Sequence, residues 1–291
     1  MRSILALLLL AQLATTGTRS ALVADRGLKP ADFPQLKKLT DNVYVFSDLH
    51  TLGYMTNDLI VITSDGVLIA DGQGSVAVTQ KLVDQVKKLT TQPIRKVVIC
   101  SEHGDHTGGN AAFPPDVTFY AHPFSKNTLK LTERVETVSD TATIRMGTTE
   151  IRILFKGRSH TGGDLEVYLP REKVAFMSES YSNHIFPSMR TALPIEWVTT
   201  VKNISAIDAD FVIPGHGFIE DPALMKKELA AFAKAVDYVV TEVTRLHKAG
   251  LTVEAAAKQA NWGEYETWTG KDRNAPIALQ RVYDALDGKL Q

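Results

Sequence analysis

The chain has one cysteine, Cys100, in 291 residues. A lone thiol cannot close an internal disulfide, so a disulfide-stapled scaffold is excluded. Neither sign of charge is in excess. The 32 Lys and Arg face 33 Asp and Glu, a formal net charge of −1, which argues against a nucleic-acid-binding surface. No apolar run approaches the ~20 residues that a membrane-spanning helix needs. No low-complexity linker divides the chain, and no close internal repeat is visible. Histidine is scarce, eight in all. What remains is ordinary for a globular protein: 44% hydrophobic and 22% charged residues, enough to bury a sizeable core.

The first residues differ in character from the rest. Arg2 precedes an apolar run from Ile4 to Leu10, extended by Ala11, Leu13 and Ala14, and small residues follow. This reads as a secretory signal peptide, residues 1–24, cut between Gly17 and Ala24. The expected location is therefore secreted or periplasmic. Removing residues 1–20 takes away Arg2 and Arg19 and leaves a charge of −3. Residues 25–291 then form one domain, including C-terminal helices.

Strand-like runs cover 41–48 and 58–72, the latter split by a Ser64-Asp65-Gly66 turn. Residues 75–90 carry apolar positions at helical spacing. A short buried strand, "IRKVVIC", follows. Further strands are expected at 117–122, 143–157, 164–170, 173–180 and 211–217. Helices are expected at 194–208, 222–250, 252–260 and 277–289, the long one bounded by Pro222 and Gly250. Two αβ halves with facing sheets and outer helices would make one domain. Cys100 ends an apolar strand and reads as a small buried residue.

Polar residues gather where strands end: "SEHGDH" (101–106), "GRSHTGGD" (157–164), "FMSESYSNH" (176–184) and "PGHG" (214–217). A lone His160 or His216 could cap a turn. The conjunction is more specific, because zinc takes imidazole nitrogen and carboxylate oxygen from several segments. The glycines beside each histidine suit tight turns.

In this order, "HGDHTGGN", "SHTGGD", "VAFMSES" and "VIPGHG" resemble the metallo-β-lactamase superfamily, and "NDLIVITSDGVLIADG" resembles its opening hairpin. The resemblance runs from about Asp41 to Gly217 and implies an α/β fold, a four-layer αββα sandwich, with the metal at the edge between the sheets. It implies metal ligands His103, Asp105, His106, His160, Glu179 and His216. Glu179 falls on the family's bridging position, commonly Asp in the hydrolases and Cys or Ser in many β-lactamases. Asp71 falls on an acid that supports the metal loop.

The family motif His-x-His-x-Asp-His reads Ser101-Glu102-His103-Gly104-Asp105-His106 here. Ser101 replaces the first histidine, and serine binds zinc poorly unless deprotonated. The expectation is one tight Zn2+ and a second, weaker one. Glu102 could substitute, but neighbours in an extended loop face opposite ways. The implied chemistry is zinc-dependent hydrolysis of a small carbonyl substrate by metal-bound hydroxide, with Asp105 as the catalytic acid-base group. A β-lactam is the most specific substrate. A lactone, ester or thioester is the alternative, as is a degenerate family member that binds metal without turnover. Asn183 and His184 are candidate oxyanion donors, His184 weighed against a plain surface-loop residue. Tyr181 and Phe186 read as packing, His122 as a strand-end residue, and His50 and His247 as peripheral. The implied partner is a small molecule, with no nucleic acid and no stable membrane insertion; the oligomeric state is left open.

Overall fold

The computed structural model describes residues 20–131 and 134–290. Most of the leader read from the sequence, residues 1–19, therefore lies outside the described residues. In chain order the elements are β1 (Gln35–Lys38), β2 (Val43–Leu49), β3 (Met55–Thr63), β4 (Gly66–Ala70), α1 (Val76–Leu89), β5 (Ile94–Ile99), α2 (Gly104–Thr107), β6 (Thr118–Ala121) and α3 (Pro123–Thr128). Then come β7 (Val135–Thr137), β8 (Thr141–Met146), β9 (Thr149–Leu154), β10 (Glu166–Leu169), β11 (Val174–Phe176), α4 (Pro194–Ser205), β12 (Phe211–Ile213), α5 (Pro222–Lys248), α6 (Val253–Ala257) and α7 (Lys271–Leu286).

A seven-stranded sheet runs in the order β1 to β7, and a five-stranded sheet in the order β12-β11-β10-β9-β8. In the first, β1 to β4 pair antiparallel and β4 to β7 parallel. Both faces of the central strands are buried, so they read as continuous apolar runs. The period of two still sorts their side chains. Val43 and Val45 of β2 and Leu68 and Ala70 of β4 meet Ile151, Ile153, Val167 and Phe176 between the sheets. Their alternates Phe46, Val67 and Ile69 face Leu82, Val83 and Val86 of α1. On the far side, Tyr168, Ala175 and Val212 pack under Trp197 of α4, Phe232 of α5 and Leu279 of α7. The result is the four-layer αββα sandwich expected from the sequence.

Caps set the helices that flank the site. Ser75 accepts from Val78 N at the start of α1, and Asp221 accepts from Leu224 N ahead of Pro222 in α5. The last helix begins at Lys271, six residues before the expected 277, and holds Pro276 within its first turns. No helix among the described residues is long and apolar enough to cross a membrane.

The glycines of the histidine loop serve close approach more than turning. Gly108 and Gly109 have negative φ. A Cβ on Gly109 would lie 1.8 Å from Thr79 Oγ1 and 2.4 Å from the Ser75 carbonyl, so the loop after the motif sits directly on the N-terminal turn of α1. Gly109→Ala should cost about 1–3 kcal/mol through overpacking, and thermal denaturation should show a Tm lower by about 2–4 °C per kcal/mol. An unchanged Tm would mean that α1 does not rest on this loop.

Candidate metal centre

Each polar cluster read from the sequence sits just beyond a strand, on one edge of the sandwich. Asp71 follows β4, Ser101 to His106 follow β5, His160 lies between β9 and β10, Glu179 follows β11 and His216 follows β12. Asp71 joins several of these segments. It is buried and has a left-handed backbone, φ 61°. Its Oδ1 accepts from Cys100 N at 2.7 Å and Ser101 N at 3.3 Å, and its Oδ2 accepts from Ser178 Oγ at 2.5 Å. The same Oδ2 lies 3.1 Å from His106 Nδ1.

Two groups of ligand atoms result, and both contain Glu179. The first is His103, His160 and Glu179; the second is Asp105, His106, Glu179 and His216. In the first, His103 Nδ1 is 3.2 Å from His160 Nε2 and 2.8 Å from Glu179 Oε2, and His160 Nε2 is 3.1 Å from Glu179 Oε1. In the second, His216 Nε2 lies 3.3 Å from His106 Nε2, 3.2 Å from Asp105 Oδ2 and 3.3 Å from Glu179 Oε1. A tetrahedral zinc with bonds of about 2.0–2.1 Å sets its ligand atoms about 3.3 Å apart. Most of these spacings are close to that value; His106 Nε2 and Asp105 Oδ2, at 3.9 Å, would close in by a few tenths of an ångström around an ion.

The outer nitrogens of three rings are already engaged, which aims the inner ones. Thr191 Oγ1 donates to the His160 carbonyl and so accepts from His103 Nε2 at 2.7 Å. His216 Nδ1 faces the Met55 carbonyl at 3.2 Å, and His106 Nδ1 faces Asp71. Such outer contacts set the tautomer of a metal-binding histidine. The inner nitrogens then confront carboxylate oxygens and each other, which only a proton or a cation between them makes favourable. In the protein without metal, protons take that place. Burial opposes charge on His106, but Asp71 outweighs it and lifts its pKa to about 9. Burial is likewise outweighed at His216 by Asp105 and Glu179, and at His103 by Glu179. Burial alone would raise Glu179, yet His160 and His103 hold it well below the ordinary carboxylate value. The donor set of imidazole and carboxylate, without thiolate, suits zinc.

A cavity of about 190 Å³ opens over the cluster, lined also by His50, Leu52, Tyr54, Arg190 and Arg273. Asp105 is the acid that reaches it most openly, its side chain 26% exposed. A larger hollow at Thr40, Asn42, Thr149 and Arg171 touches none of the ligand groups.

Several sequence expectations change here. His50 is not peripheral. The short turn between β2 and β3 folds over the centre and puts His50 Nε2 3.5 Å from Asp105 Oδ2, with its ring stacked on Tyr54 at 4.7 Å. Burial, then the charge of His216, lowers its pKa to about 4. Asn183 is not an oxyanion donor, because its amide donates to the Phe218 carbonyl at 2.8 Å. His184 turns to Glu228 at 3.2 Å and to Trp268, away from the cavity. Glu102 points away from the cluster, where Ser125 and Thr161 donate to it. Tyr181 and Phe186 pack against Phe232 and Trp262, and His122 caps α3. Cys100 is fully buried, and burial pushes its thiol well up, as a structural residue requires. Arg190 and Arg273 carried no sequence signal, since isolated arginines in a loop and a helix look like solvated surface.

No family model matches the chain. Among curated proteins, it is 24% identical over 205 residues to a metallo-β-lactamase type 2 of Bacillus sp. (strain 170), covering 65% of this chain and 79% of that protein. It is 23% identical over the same shares to a metallo-β-lactamase type 2 of Bacillus cereus. Among solved structures it is similar to a metallo-β-lactamase from Pontibacter korlensis, with a TM-score of 0.63 at 21% identity, covering 70% of this chain and 99% of that one. A metallo-β-lactamase from Hirschia baltica gives a TM-score of 0.60 at 21% identity over 72% and 98%.

Proposed function

The chain belongs to the metallo-β-lactamase superfamily, and on that footing we propose that it is a zinc-dependent hydrolase of a small carbonyl substrate, most specifically a β-lactam. The observation that carries this reading is the pair of ligand groups meeting at Glu179 on a cavity floor. His103, His160 and Glu179 would hold one zinc, and Asp105, His106, His216 and Glu179 the other position. Zinc bound there supplies Lewis acidity, polarising a carbonyl and making water acidic enough to attack near neutral pH. Asp105 orients the attacking water and receives its proton from the open side of the cluster. Asp71 keeps the His106 ring turned inward, and Thr191 does the same for His103. Tyr54, Leu52 and His50 shield one wall of the cavity.

The experiment is metal analysis beside a hydrolysis panel of a chromogenic cephalosporin, a lactone, an aryl ester and a thioester. Zinc removal should abolish turnover, and zinc should restore it. His216→Ala should lose most bound metal and at least about 100-fold in rate, since even an outer-contact change costs 10–100-fold. Full zinc and full turnover in that variant would overturn the reading. Zinc binding without turnover on the whole panel would support the degenerate binding protein that Ser101 suggests.

Two arginines favour the β-lactam over a neutral lactone or ester. Arg190 and Arg273 line the cavity, and among the described residues neither forms a salt bridge with a carboxylate. Their charges reach His103 and Tyr54 respectively. Both depend on α7: Arg273 lies on it, and Arg281 of the same helix donates to the Thr191 and Ala192 carbonyls beside Arg190. A β-lactam antibiotic carries a carboxylate beside its reactive ring. Arg273→Ala and Arg190→Ala should each raise KM for carboxylate-bearing substrates about tenfold with kcat little changed. A neutral lactone should be unaffected, and equal losses on both substrates would remove the anion-binding role.

We also propose export, with cleavage ahead of Ala21. Ala21 and Val23 are buried in the domain; Ala21 N donates to Thr269 Oγ1 at 2.9 Å and Val23 N to the Gly53 carbonyl at 2.9 Å. This favours the upstream part of the 17–24 window and a mature domain that begins before residue 25. N-terminal sequencing of protein from its host should start between Thr18 and Ala21. Intact Met1 on the soluble protein would overturn export.

A further inference from the structure

The substitution of Ser101 for the family's first histidine leaves the His103–His160 position one nitrogen short. The structure shows what occupies the vacated place. Ser101 is fully buried, and its hydroxyl donates to Glu179 Oε2 at 2.6 Å. That same oxygen lies 2.8 Å from His103 Nδ1, while Oε1 lies 3.1 Å from His160 Nε2 and 3.3 Å from His216 Nε2.

We propose that Ser101 and Glu179 form a compensating pair. The Ser101 hydroxyl fixes the Glu179 carboxylate so that it completes the His103–His160 position while still serving the Asp105–His106–His216 position. The centre then takes up two zinc ions of comparable tightness. This rests on the reading of the cluster as a zinc centre. Its content beyond that reading is that the serine is a positioning residue and the glutamate replaces the missing histidine.

Three observations support the pairing. The first is reach. Glutamate is one methylene longer than the aspartate common at this position in the family's hydrolases, about 1.5 Å, and serine is smaller than the imidazole it replaces. The second is the rigidity of the glutamate's base. Ser178 has φ 43° and donates to Asp71, Ser180 donates to Glu166 at 2.9 Å, and a Cβ on Gly215 would meet the Ser178 carbonyl carbon at 2.6 Å. With residues 178–180 held on both sides, arm length and the Ser101 contact decide where the carboxylate lies. The third is the lack of another replacement among the described residues. Glu102 is held by Ser125 and Thr161, Thr191 occupies the outer nitrogen of His103, and a neutral serine oxygen is a poor zinc ligand.

The test is zinc stoichiometry by equilibrium dialysis, with cobalt(II) absorption spectra, on the mature full-length protein; thermal denaturation confirms folding of each variant. The unaltered protein should bind two zinc ions. Ser101→Ala should weaken one of them about tenfold and change the cobalt spectrum of that position. Glu179→Asp should lose one ion, because the shortened arm no longer spans both groups. Ser101→His in the Glu179→Asp background should regain it by restoring the histidine–aspartate combination common in the family's hydrolases, a rescue that a merely structural serine would not produce. Retention of both ions by folded Glu179→Asp, or failure of the folded double variant to regain the second, would overturn the pairing. One tight ion in the unaltered protein would overturn this pairing and leave the hydrolase reading standing; no zinc at all would overturn both.

Discussion

The site depends first on one buried carboxylate. Asp71 directly follows β4 in a backbone conformation that a non-glycine residue adopts at a cost of about 1–2 kcal/mol. Its oxygens offset that cost by accepting from two backbone amides and a hydroxyl, and by facing a histidine. The amides belong to the chain leaving β5 and the hydroxyl to the chain leaving β11. One side chain thus ties an end of the first sheet to an end of the second. It is the link that fixes the backbone of the loop carrying His103, Asp105 and His106 relative to the turn carrying Glu179, beside the side-chain contacts of Ser101 and His103 with Glu179.

The sandwich supplies the rest of the geometry. Strand β12 runs parallel to β11, so their C-terminal ends emerge side by side and bring His216 to Glu179. The first sheet delivers its loop from the facing layer. The ligand groups therefore meet along the seam between two sheets whose inner faces are packed with Val, Leu, Ile and Phe. Stiffness would matter to a metal held here, because affinity depends on ligand atoms kept near their final spacing. The outer contacts of Thr191, the Met55 carbonyl and Asp71 give that stiffness to three of the rings.

The C-terminal helices contribute more than a fourth layer. Helix α7 bears Arg273 at the cavity mouth, and its Arg281 anchors the loop that holds both Arg190 and Thr191. One helix therefore acts on the polarity of the entrance and, through Thr191, on the orientation of His103. The N-terminal segment completes this wall by bonding to Thr269, just ahead of α7, and to Gly53 in the turn that carries His50 and Tyr54.

Much of the fold was legible in the sequence because its signals are local. Period-two alternation, the Ser64-Asp65-Gly66 turn and the helical spacing of Leu82, Val83 and Val86 each lie within a few residues. The histidines and acids of "HGDH", "SHTGGD" and "PGHG" stood out for the same reason: unusual residue types close together after strand-like runs. Tertiary structure alone decided where long-range partners meet. Ser101 and Glu179 are 78 residues apart, and nothing in either segment says that a hydroxyl will rest on that carboxylate. His50 stands alone in a turn, with no periodicity to mark it, and reaches Asp105 only because the β2–β3 hairpin folds over the edge. Asn183 and His184 looked suitable by position, but the Phe218 carbonyl and Glu228 claim their side chains. Local chemistry in the chain determines which residues are able to bind a metal; the packing of two sheets determines which of them are brought close enough to share one.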